Sequence, residues 1–438
     1  MLALLQTGPA FSGALPDILK KAVENDLELK RLTLSLENLN LRVKRERAAR
    51  GFSLSLGSTA AGSNILSYTH NFEPSAGKAE DELGFRLFLS GNMGDPLCSR
   101  IDLDVPITYG FRGDAQASLK TSLAQPLNPL LGLSPHGAEE LETSNLIEEA
   151  FLAVISREIE VKREILQRIR SLYSLKLQEL ETEYESSVLI EEINLRESLF
   201  QINEESYAYR KLHFDLQCLE QDKELVSRKI DQLLGLLAER IGEDRFTLPE
   251  EIPDVELILP DRAQAEANPE VYRAERELRL AEVKVQEQRY HRLPELSLNS
   301  SYDWADKRLS FSLGFSMKLL DSGVRRITKM ELERAVQISS LSLKEARSRY
   351  RELLADLQIS VLELKILEKR YVEEEILTAL RLREIKEGFE RGLLGKFELL
   401  EAEWERERLK LEEKILKLDK LLLSFEAEGF LAAARRVE

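Results

Sequence analysis

The chain has 438 residues, of which 78 are acidic and 62 are basic, and its formal net charge is −16. A surface with this charge repels a phosphate backbone, so the composition disfavours general nucleic-acid binding. Hydrophobic residues make up 43% of the chain, which is enough for folded cores. The longest apolar runs are far shorter than the ~20 residues of a membrane-spanning helix, so the sequence does not predict a helical membrane protein.

No motif with catalytic or metal-binding spacing occurs in the sequence. Cys98 and Cys218 lie too far apart in the chain to indicate a disulfide framework or a paired-cysteine metal site. The four histidines are isolated, and we expect them in solvated or core positions. Phosphate loops, nucleophile elbows and EF-hand loops are missing as well. We therefore expect no enzymatic activity, no cofactor and no metal site.

Residues 1–14 form a short apolar segment that ends in Ser12, Gly13 and Ala14. Small residues at these places are typical of a secretory cleavage site, but the basic start of a signal peptide is missing. Two interpretations stay open. The segment is either a signal peptide whose beginning is not included here or an ordinary N-terminus.

Three helices and several strands are predicted between residues 15 and 240. Apolar periodicity predicts helices over residues 15–50, 139–184 and 191–238, with a tip turn at residues 184–189. Alternation of apolar and polar residues predicts strands near residues 54–56 and 117–123. Two further alternating runs, 85–89 and 101–105, lie between them. The pattern does not decide whether these runs extend the sheet or form an external loop.

Residues 241–262 have a different composition, with prolines at positions 249, 253 and 260. They are predicted to be a linker between residues 15–240 and residues 263–438. The second half then repeats the order of the first, with helices over residues 269–292, 324–387 and 398–427. Residues 324–387 contain no proline or glycine, and as one helix they would be about 96 Å long. A helix of that length must pack along other helices, so coiled-coil packing is expected.

The strands of the second half alternate strictly between an apolar and a polar face. The apolar face contains Leu296, Leu298, Tyr302 and Trp304 from one strand and Leu309, Phe311, Leu313, Phe315 and Met317 from the next. Serine, asparagine and glycine occupy most of the other face. This pattern is typical of an outer-membrane β-barrel with lipid outside and water inside. A soluble hairpin with one face on a core is the alternative. Because one or two hairpins cannot close a barrel, the membrane interpretation requires an oligomer.

An internal duplication explains the repeated order of elements. Asn25-Asp26-Leu27-Glu28 recurs as Asn268-Pro269-Glu270-Val271, and Ser53-Leu54-Ser55-Leu56 recurs as Glu295-Leu296-Ser297-Leu298. The separation is about 243 residues, and the first hairpin then carries about 49 additional residues.

These features together resemble the TolC outer-membrane efflux family over residues 15–431. The residues that carry the resemblance are Asn25-Asp26-Leu27-Glu28-Leu29, Asn268-Pro269-Glu270, Pro294-Glu295-Leu296-Ser297-Leu298, Gln125-Pro126-Leu127, Leu319-Leu320-Asp321-Ser322-Gly323 and the tip segment 389–402. The resemblance implies an α+β fold: a trimeric outer-membrane β-barrel continued by a long α-helical coiled-coil tunnel in the periplasm. It also implies an exit duct of a tripartite efflux or type I secretion system. The partners would be a periplasmic adaptor and an inner-membrane transporter.

The same resemblance implies a gate at the helical tips. Glu398 and Glu401 match acidic residues that form a ring about the axis, with glutamate in place of the more usual aspartate. Phe389 matches a locking aromatic residue but has no hydroxyl, and Gly392 lies in the same tip segment. A basic residue expected near Leu394 is missing. Two alternatives remain open: the two glutamates are simply solvated residues at a helix start, and the chain is a soluble or peripheral coiled-coil scaffold.

Overall fold

The computed structural model describes residues 14–49, 53–57, 66–73, 78–92, 100–110, 115–117, 119–127, 137–198, 206–260, 264, 268–290, 295–304, 306–316 and 323–433. Residues 1–13, which are most of the possible signal segment, and Met317 of the apolar strand face lie outside these ranges. Within the described part of the chain, no helix contains a stretch that is both long enough and apolar enough to cross a membrane.

The described residues form seven helices and eight strands. In chain order they are α1 (Ala14–Asn25), α2 (Leu27–Ala49), β1 (Ser53–Gly57), β2 (Leu66–Glu73), β3 (Lys78–Asn92), β4 (Arg100–Gly110), β5 (Ala115–Ala117), β6 (Lys120–Pro126), α3 (Gly137–Ser198), α4 (Tyr207–Ile241), α5 (Pro269–Tyr290), β7 (Glu295–Asp303), β8 (Arg308–Ser316), α6 (Val324–Glu390) and α7 (Lys396–Phe430). The three helices predicted for the second half are confirmed to within three residues at each end.

The helix predicted over residues 15–50 is interrupted at Asp26, so the prediction of a continuous helix is wrong there. The N–H of Leu29 donates to Oδ1 of Asp26 at 2.7 Å, which makes Asp26 the N-cap of α2. The side chain of Asp26 is 1% exposed, and its Oδ2 accepts from Arg157 at 3.0 Å and from Arg240 at 2.6 Å. The break thus places a buried carboxylate between arginines of α3 and α4.

The tip turn predicted at residues 184–189 is also wrong, because α3 continues through them to Ser198. The hydroxyls of Ser186 and Ser187 donate to the carbonyls of Thr182 and Glu183, at 2.7 and 2.8 Å. With their hydroxyls bonded to the preceding turn, the two serines are accommodated inside a continuing helix. The helix predicted to begin at residue 191 is α4, which begins at Tyr207 with Ser206 as N-cap.

The chain divides into two compact units whose boundaries fall inside α2, α3, α5 and α6. The first unit comprises Met1–Leu34, Ala150–Arg273 and Lys344–Glu438, and the second comprises Ser35–Glu149 and Ala274–Leu343.

A buried apolar core holds the helices of the first unit together. It is formed by residues three or four apart on each helix, so one face of each helix is buried. The core includes Leu15 and Leu19 of α1, Ile165, Ile169 and Leu172 of α3, Leu237 and Ile241 of α4, and Leu418 and Leu421 of α7.

The linker predicted at residues 241–262 begins where α4 ends. Gly242 has a φ of 76°, and its N–H donates to the carbonyl of Ala238 at 2.9 Å, so this glycine terminates the helix. The residues that follow, up to 260, form neither helix nor strand. Phe246 and Ile252 are nevertheless buried in the core of the first unit, which fixes the linker on the helices.

The second unit contains one antiparallel sheet. Its strand order is β1-β3-β4-β6-β7-β8, with β2 also paired to β3 and β5 also paired to β4. The two runs whose role the sequence left open, 85–89 and 101–105, lie in β3 and β4 and therefore extend the sheet. The N-terminal part of α3 and most of α5 belong to the same unit as the sheet. Arg276 of α5 donates to the side chain of Asn145 of α3 at 2.6 Å.

Candidate functional site

The tip turn between α6 and α7 is set by Gly392. Its φ is 70°, a left-handed conformation that glycine adopts without strain. The N–H of Gly392 donates to the carbonyl of Phe389 and the N–H of Leu393 donates to that of Gly388, both at 2.9 Å. This is the hydrogen-bond pattern of a Schellman motif. Gly392 is therefore the residue that ends α6 and allows the chain to reverse into α7.

Two further glycines allow close contacts in the same turn. A Cβ atom at Gly388 would lie 2.6 Å from Cδ1 of Leu394, so a larger residue there would force this leucine side chain to shift. A Cβ atom at Gly395, the N-cap of α7, would lie 2.9 Å from Oε2 of Glu398. The Glu398 carboxylate thus folds back towards the start of α7, where the helix dipole favours a negative charge.

Glu401 is paired within its own chain. Nη2 of Arg381 on α6 donates to Oε2 of Glu401 at 2.9 Å, and Nη1 donates to Oε1 of Glu405 at 2.6 Å. One guanidinium therefore joins two carboxylates of α7. The sequence predicted Glu398 and Glu401 as equivalent acids, whereas the structure places only Glu401 in an ion pair with Arg381.

A small apolar cluster joins α6 and α7 near the tip. Leu382 and Ile385 of α6 and Ala402 of α7 are buried together, with Leu399 packed against them. Phe389 is 40% exposed and is not one of the buried residues of this cluster. Its ring is therefore accessible at the tip.

Sequence reasoning missed the residues that connect the tip of α7 to α3. Nζ of Lys396 donates to Oε2 of Glu191 at 2.6 Å, and the rings of Tyr184 and Trp404 stack with centroids 4.7 Å apart. Burial, followed by the charges of Glu401 and Glu405, raises the pKa of the Tyr184 hydroxyl. These partners are about 200 residues apart in the chain, so no local pattern indicates them. The available signal was the position of Lys396 in the tip segment 389–402 and of Tyr184 in the tip turn predicted at residues 184–189.

The predicted apolar face of β7 and β8 is present in the described residues. The pairing register places Leu309 opposite Tyr302, Leu313 opposite Leu298 and Phe315 opposite Leu296. Directly opposed residues of an antiparallel pair share one face. On β8 the exposed fractions of this face are 56% for Leu309, 68% for Phe311, 67% for Leu313 and 65% for Phe315.

Two aromatic residues lie at the end of this apolar face, next to the turn after β7. The rings of Tyr302 and Trp304 meet edge to face with centroids 4.8 Å apart. The N–H of Trp304 donates to the carbonyl of Leu119 at 2.9 Å, which continues the β6–β7 pairing past the end of the strand.

The opposite face of the same strands is polar. The hydroxyls of Ser301 and Ser310 lie 2.7 Å apart across β7 and β8. Nζ of Lys120 on β6 lies 3.4 Å from Oδ2 of Asp303 on β7. A sheet with charges on one face and exposed leucine and phenylalanine on the other can separate water from a lipid phase.

Comparison with known proteins connects this architecture to outer-membrane channels. The profile of the TP096X C-terminal domain family matches residues 292–429. No curated protein matches the sequence.

Several solved structures match nearly the whole chain. The outer membrane protein VceC from Vibrio cholerae has 12% identity and a TM-score of 0.58, with 95% of this chain and 96% of that chain covered. A membrane protein from Pseudomonas aeruginosa has 16% identity and a TM-score of 0.57, with 95% and 90% covered. The CmeC outer membrane channel from Campylobacter jejuni has 13% identity and a TM-score of 0.55, with 98% and 90% covered. The chain therefore has the fold of TolC-type outer-membrane channels.

Proposed function

We propose that this chain forms a passive channel through the outer membrane, which serves as the exit duct of a tripartite efflux or type I secretion system. The observation that carries the proposal is the two-faced sheet. Four large apolar side chains of β8 are more than half exposed, on the face opposite the serines and the Lys120–Asp303 pair. Exposed apolar surface of this kind marks an interaction site, and a bilayer is the partner that fits a flat, regular apolar face.

An oligomer follows from the sheet edge. Among the described strands, β8 pairs only with β7, so its other edge has no strand beside it. Unpaired backbone groups are very costly in lipid, so another copy of the chain must pair with this edge. The proposed assembly is a homotrimer in which the sheets of three chains close one barrel, as the likeness in fold suggests.

The long helix α6 supports the same assembly. One face is buried within the chain, through residues such as Leu354, Leu357, Val361 and Leu364. A second face is apolar but exposed and carries Ile359, Leu362, Ile366, Ile376 and Leu380. These residues recur at coiled-coil spacing, so a helix of another copy can pack against them. In the proposed assembly the helices form a periplasmic tunnel.

The helix caps support an origin by internal duplication. Asp26 caps α2, and Asn268 caps α5 by accepting from the N–H groups of Glu270 and Val271, at 3.0 and 3.4 Å. The caps are about 242 residues apart, which is also the separation of β1 and β7. The proposed repeats are residues 15–240 and 263–438, joined by residues 241–262.

The tip formed by the end of α6 and the start of α7 is the proposed gate. It contains Phe389, Gly392, Glu398 and Glu401, and threefold symmetry would bring three copies of each carboxylate around the axis. The proposed partners are a periplasmic adaptor, which opens the tip, and an inner-membrane transporter, which delivers the cargo.

A peripheral coiled-coil scaffold is the competing function, and fractionation separates the two. An integral barrel stays with outer membranes after washing with high salt and alkali, and after detergent extraction it conducts ions in planar bilayers. A scaffold is released by the wash and conducts nothing. Release of the intact chain, or extracted protein without channel activity, contradicts the proposed function.

A further inference from the structure

We infer that the inserted hairpin of β3 and β4 is part of the membrane-spanning sheet, so that each chain contributes six strand positions and the pore is wide and water-filled. This inference rests on the proposed channel function. It assigns the barrel a cargo class: hydrophilic solutes, which cross the outer membrane through its water-filled interior.

The pairing register carries the first step of the argument. β3 and β4 pair along eleven residues, from Glu82 opposite Gly110 to Asn92 opposite Arg100. β4 then pairs with β6 from Arg100 opposite Ala124 to Asp104 opposite Lys120. The insert therefore lies between β1 and β6, inside the sheet, and not as an appendage at its edge.

The apolar face continues through the insert without a shift. Leu123 of β6 lies opposite both Ser300 of β7 and Ile101 of β4, so Ile101 shares the face of the exposed β8 residues. The same register places Leu103 opposite Leu89, Val105 opposite Leu87 and Ile107 opposite Phe85. Apolar residues thus occupy this face at consecutive positions of both inserted strands. A strand in an external, solvated loop has no reason to keep this face apolar.

The lengths of the inserted strands fit a bilayer. A strand that crosses a membrane needs about 9–11 residues. β3 has 15 residues and β4 has 11. β1 and β2 pair with different parts of β3, so together they occupy one strand position beside it. β5 and β6 pair with different parts of β4 and likewise share one strand position. The path β1-β3-β4-β6-β7-β8 then defines six positions in the described sheet.

The polar face requires water inside. One row across the sheet contains Asp104, Lys120, Asp303 and Arg308 at directly opposed positions. On the same face, Nε of Arg100 donates to Oδ1 of Asp102 at 2.9 Å. Charges at this density are costly in a dry interior. Three chains with six positions each give about 18 strands, the size class in which porins enclose an aqueous channel. The part of the channel that closes to solutes must then lie outside the barrel.

The test replaces residues 62–113 by the turn sequence 304–307, so that β1 can pair directly with β6 as β7 pairs with β8. We expect both forms to conduct. Because barrel diameter grows about linearly with strand number, the barrel of the shortened form should be about one third narrower. Electron microscopy of the detergent-extracted oligomer, in views along its axis, measures this diameter independently of the tip. An unchanged barrel diameter overturns the inference, whereas a wild-type chain that forms no channel contradicts the proposed function instead.

Two neighbouring substitutions keep the inference testable if the shortened form does not assemble. Leu89→Arg lies on the apolar face of β3, and Ser90→Arg lies on the polar face opposite Asp102. If β3 spans the bilayer, L89R should reduce the yield of assembled membrane channel about tenfold or more, and S90R should leave it nearly unchanged. Equal yields for the two variants place β3 outside the bilayer and overturn the inference.

Discussion

Asp26 shows how a single residue controls the packing of three helices. Burial acts to raise the pKa of this carboxyl, but the hydrogen bonds from Arg157 and from the N–H of Leu29, with the charges of Arg157 and Arg240, hold its pKa below the ordinary value. A carboxyl with a lowered pKa stabilises the folded state above its unfolded pKa, near 3.8. The stabilisation is lost as the pH falls below that value towards the lower pKa of the folded state.

The first prediction is that Asp26→Asn destabilises the first unit by about 1–3 kcal/mol at neutral pH, because the amide removes the buried charge partner of Arg157 and Arg240, which keep only the more exposed Glu164 as a shared partner. The difference from wild type should shrink as the pH falls below 3.8. Thermal melting followed by circular dichroism from pH 7 to pH 3 measures both effects. Asp17→Asn, at an exposed position of α1, is the matched control and should change stability by no more than about 0.5 kcal/mol. A pH-independent difference would contradict the assignment.

The second prediction concerns the acidic residues of the tip. If Glu398 and Glu401 form a ring, their gathered negative charges attract cations. Replacing both residues by alanine should abolish block by divalent cations and weaken cation preference in single-channel recordings, with little effect on assembly. Unchanged selectivity and block would place the constriction elsewhere in the tunnel.

Arg381 provides a complementary test of that ring, because it neutralises Glu401 within the chain. Arg381→Ala should strengthen cation preference, the opposite of the double alanine variant. Lys386→Ala is the control, since Lys386 pairs with Glu403 at 3.2 Å and does not contact Glu401 in the pairs described here. If both lysine and arginine variants change selectivity equally, the effect reflects net charge and not the ring.

At the scale of elements, the turn between α6 and α7 depends on the backbone conformation of Gly392. The third prediction is that Gly392→Ala destabilises the tip by about 1 kcal/mol, because alanine is strained at a φ of 70°. Gly235→Ala is the control, since Gly235 lies inside α4 with open space around its Cα and alanine there should stabilise by about 0.5–1 kcal/mol. Melting temperatures that shift in the same direction for both variants would contradict the assigned role.

The β8 strand allows the two faces of the sheet to be compared residue by residue. The fourth prediction is that Leu313→Arg costs about 2–4 kcal/mol, because the proposed barrel places position 313 near the bilayer midplane, whereas Ser312→Arg is mild because the same barrel places position 312 in the water-filled interior. The yield of heat-sensitive oligomer in isolated membranes measures the difference. Equal sensitivity at the two positions would mean that the strand is not in a bilayer.

Helices and strands differed in how far the sequence could predict them. The absence of proline and glycine over residues 324–387 is a local signal, and α6 follows it closely. The break at Asp26 has a local signal, because aspartate is a preferred N-cap residue, but the periodicity of residues 15–50 masks it. The burial of Asp26 depends on Arg157 and Arg240, more than 130 residues away, and no local pattern reveals it. The pairing of β6 with β7 likewise joins strands about 180 residues apart in sequence.

The candidate site was also only partly predictable from the sequence. The apolar alternation of β7 and β8 is visible in the sequence and identified the exposed face. The Lys396–Glu191 bond joins helices about 200 residues apart in sequence, so charge patterning alone could not assign it. The Arg381 pairs join the two consecutive helices α6 and α7, and their register depends on the geometry of the turn at Gly392.

At the scale of the whole molecule, the fifth prediction is a homotrimer that is stable in mild detergent and dissociates on heating. The open edge of β8 and the exposed apolar face of α6 both require partners, so an isolated chain should not persist. Light scattering after detergent correction, with and without prior heating, measures the mass. A well-behaved soluble monomer would contradict the barrel.

The two groups of ion pairs described above differ in their accessibility to dissolved ions. In the Lys396–Glu191 pair the lysine side chain is 57% exposed, whereas Asp26 is 1% exposed. At 1 M ionic strength the screening length is about 3 Å, so salt weakens the attraction between exposed charges. It weakens the attraction within buried pairs much less. Raising the ionic strength should therefore loosen the contacts of the tip while the junction of α1 and α2 stays intact. Ionic strength becomes a means of relaxing the proposed gate without unfolding the helices that carry it.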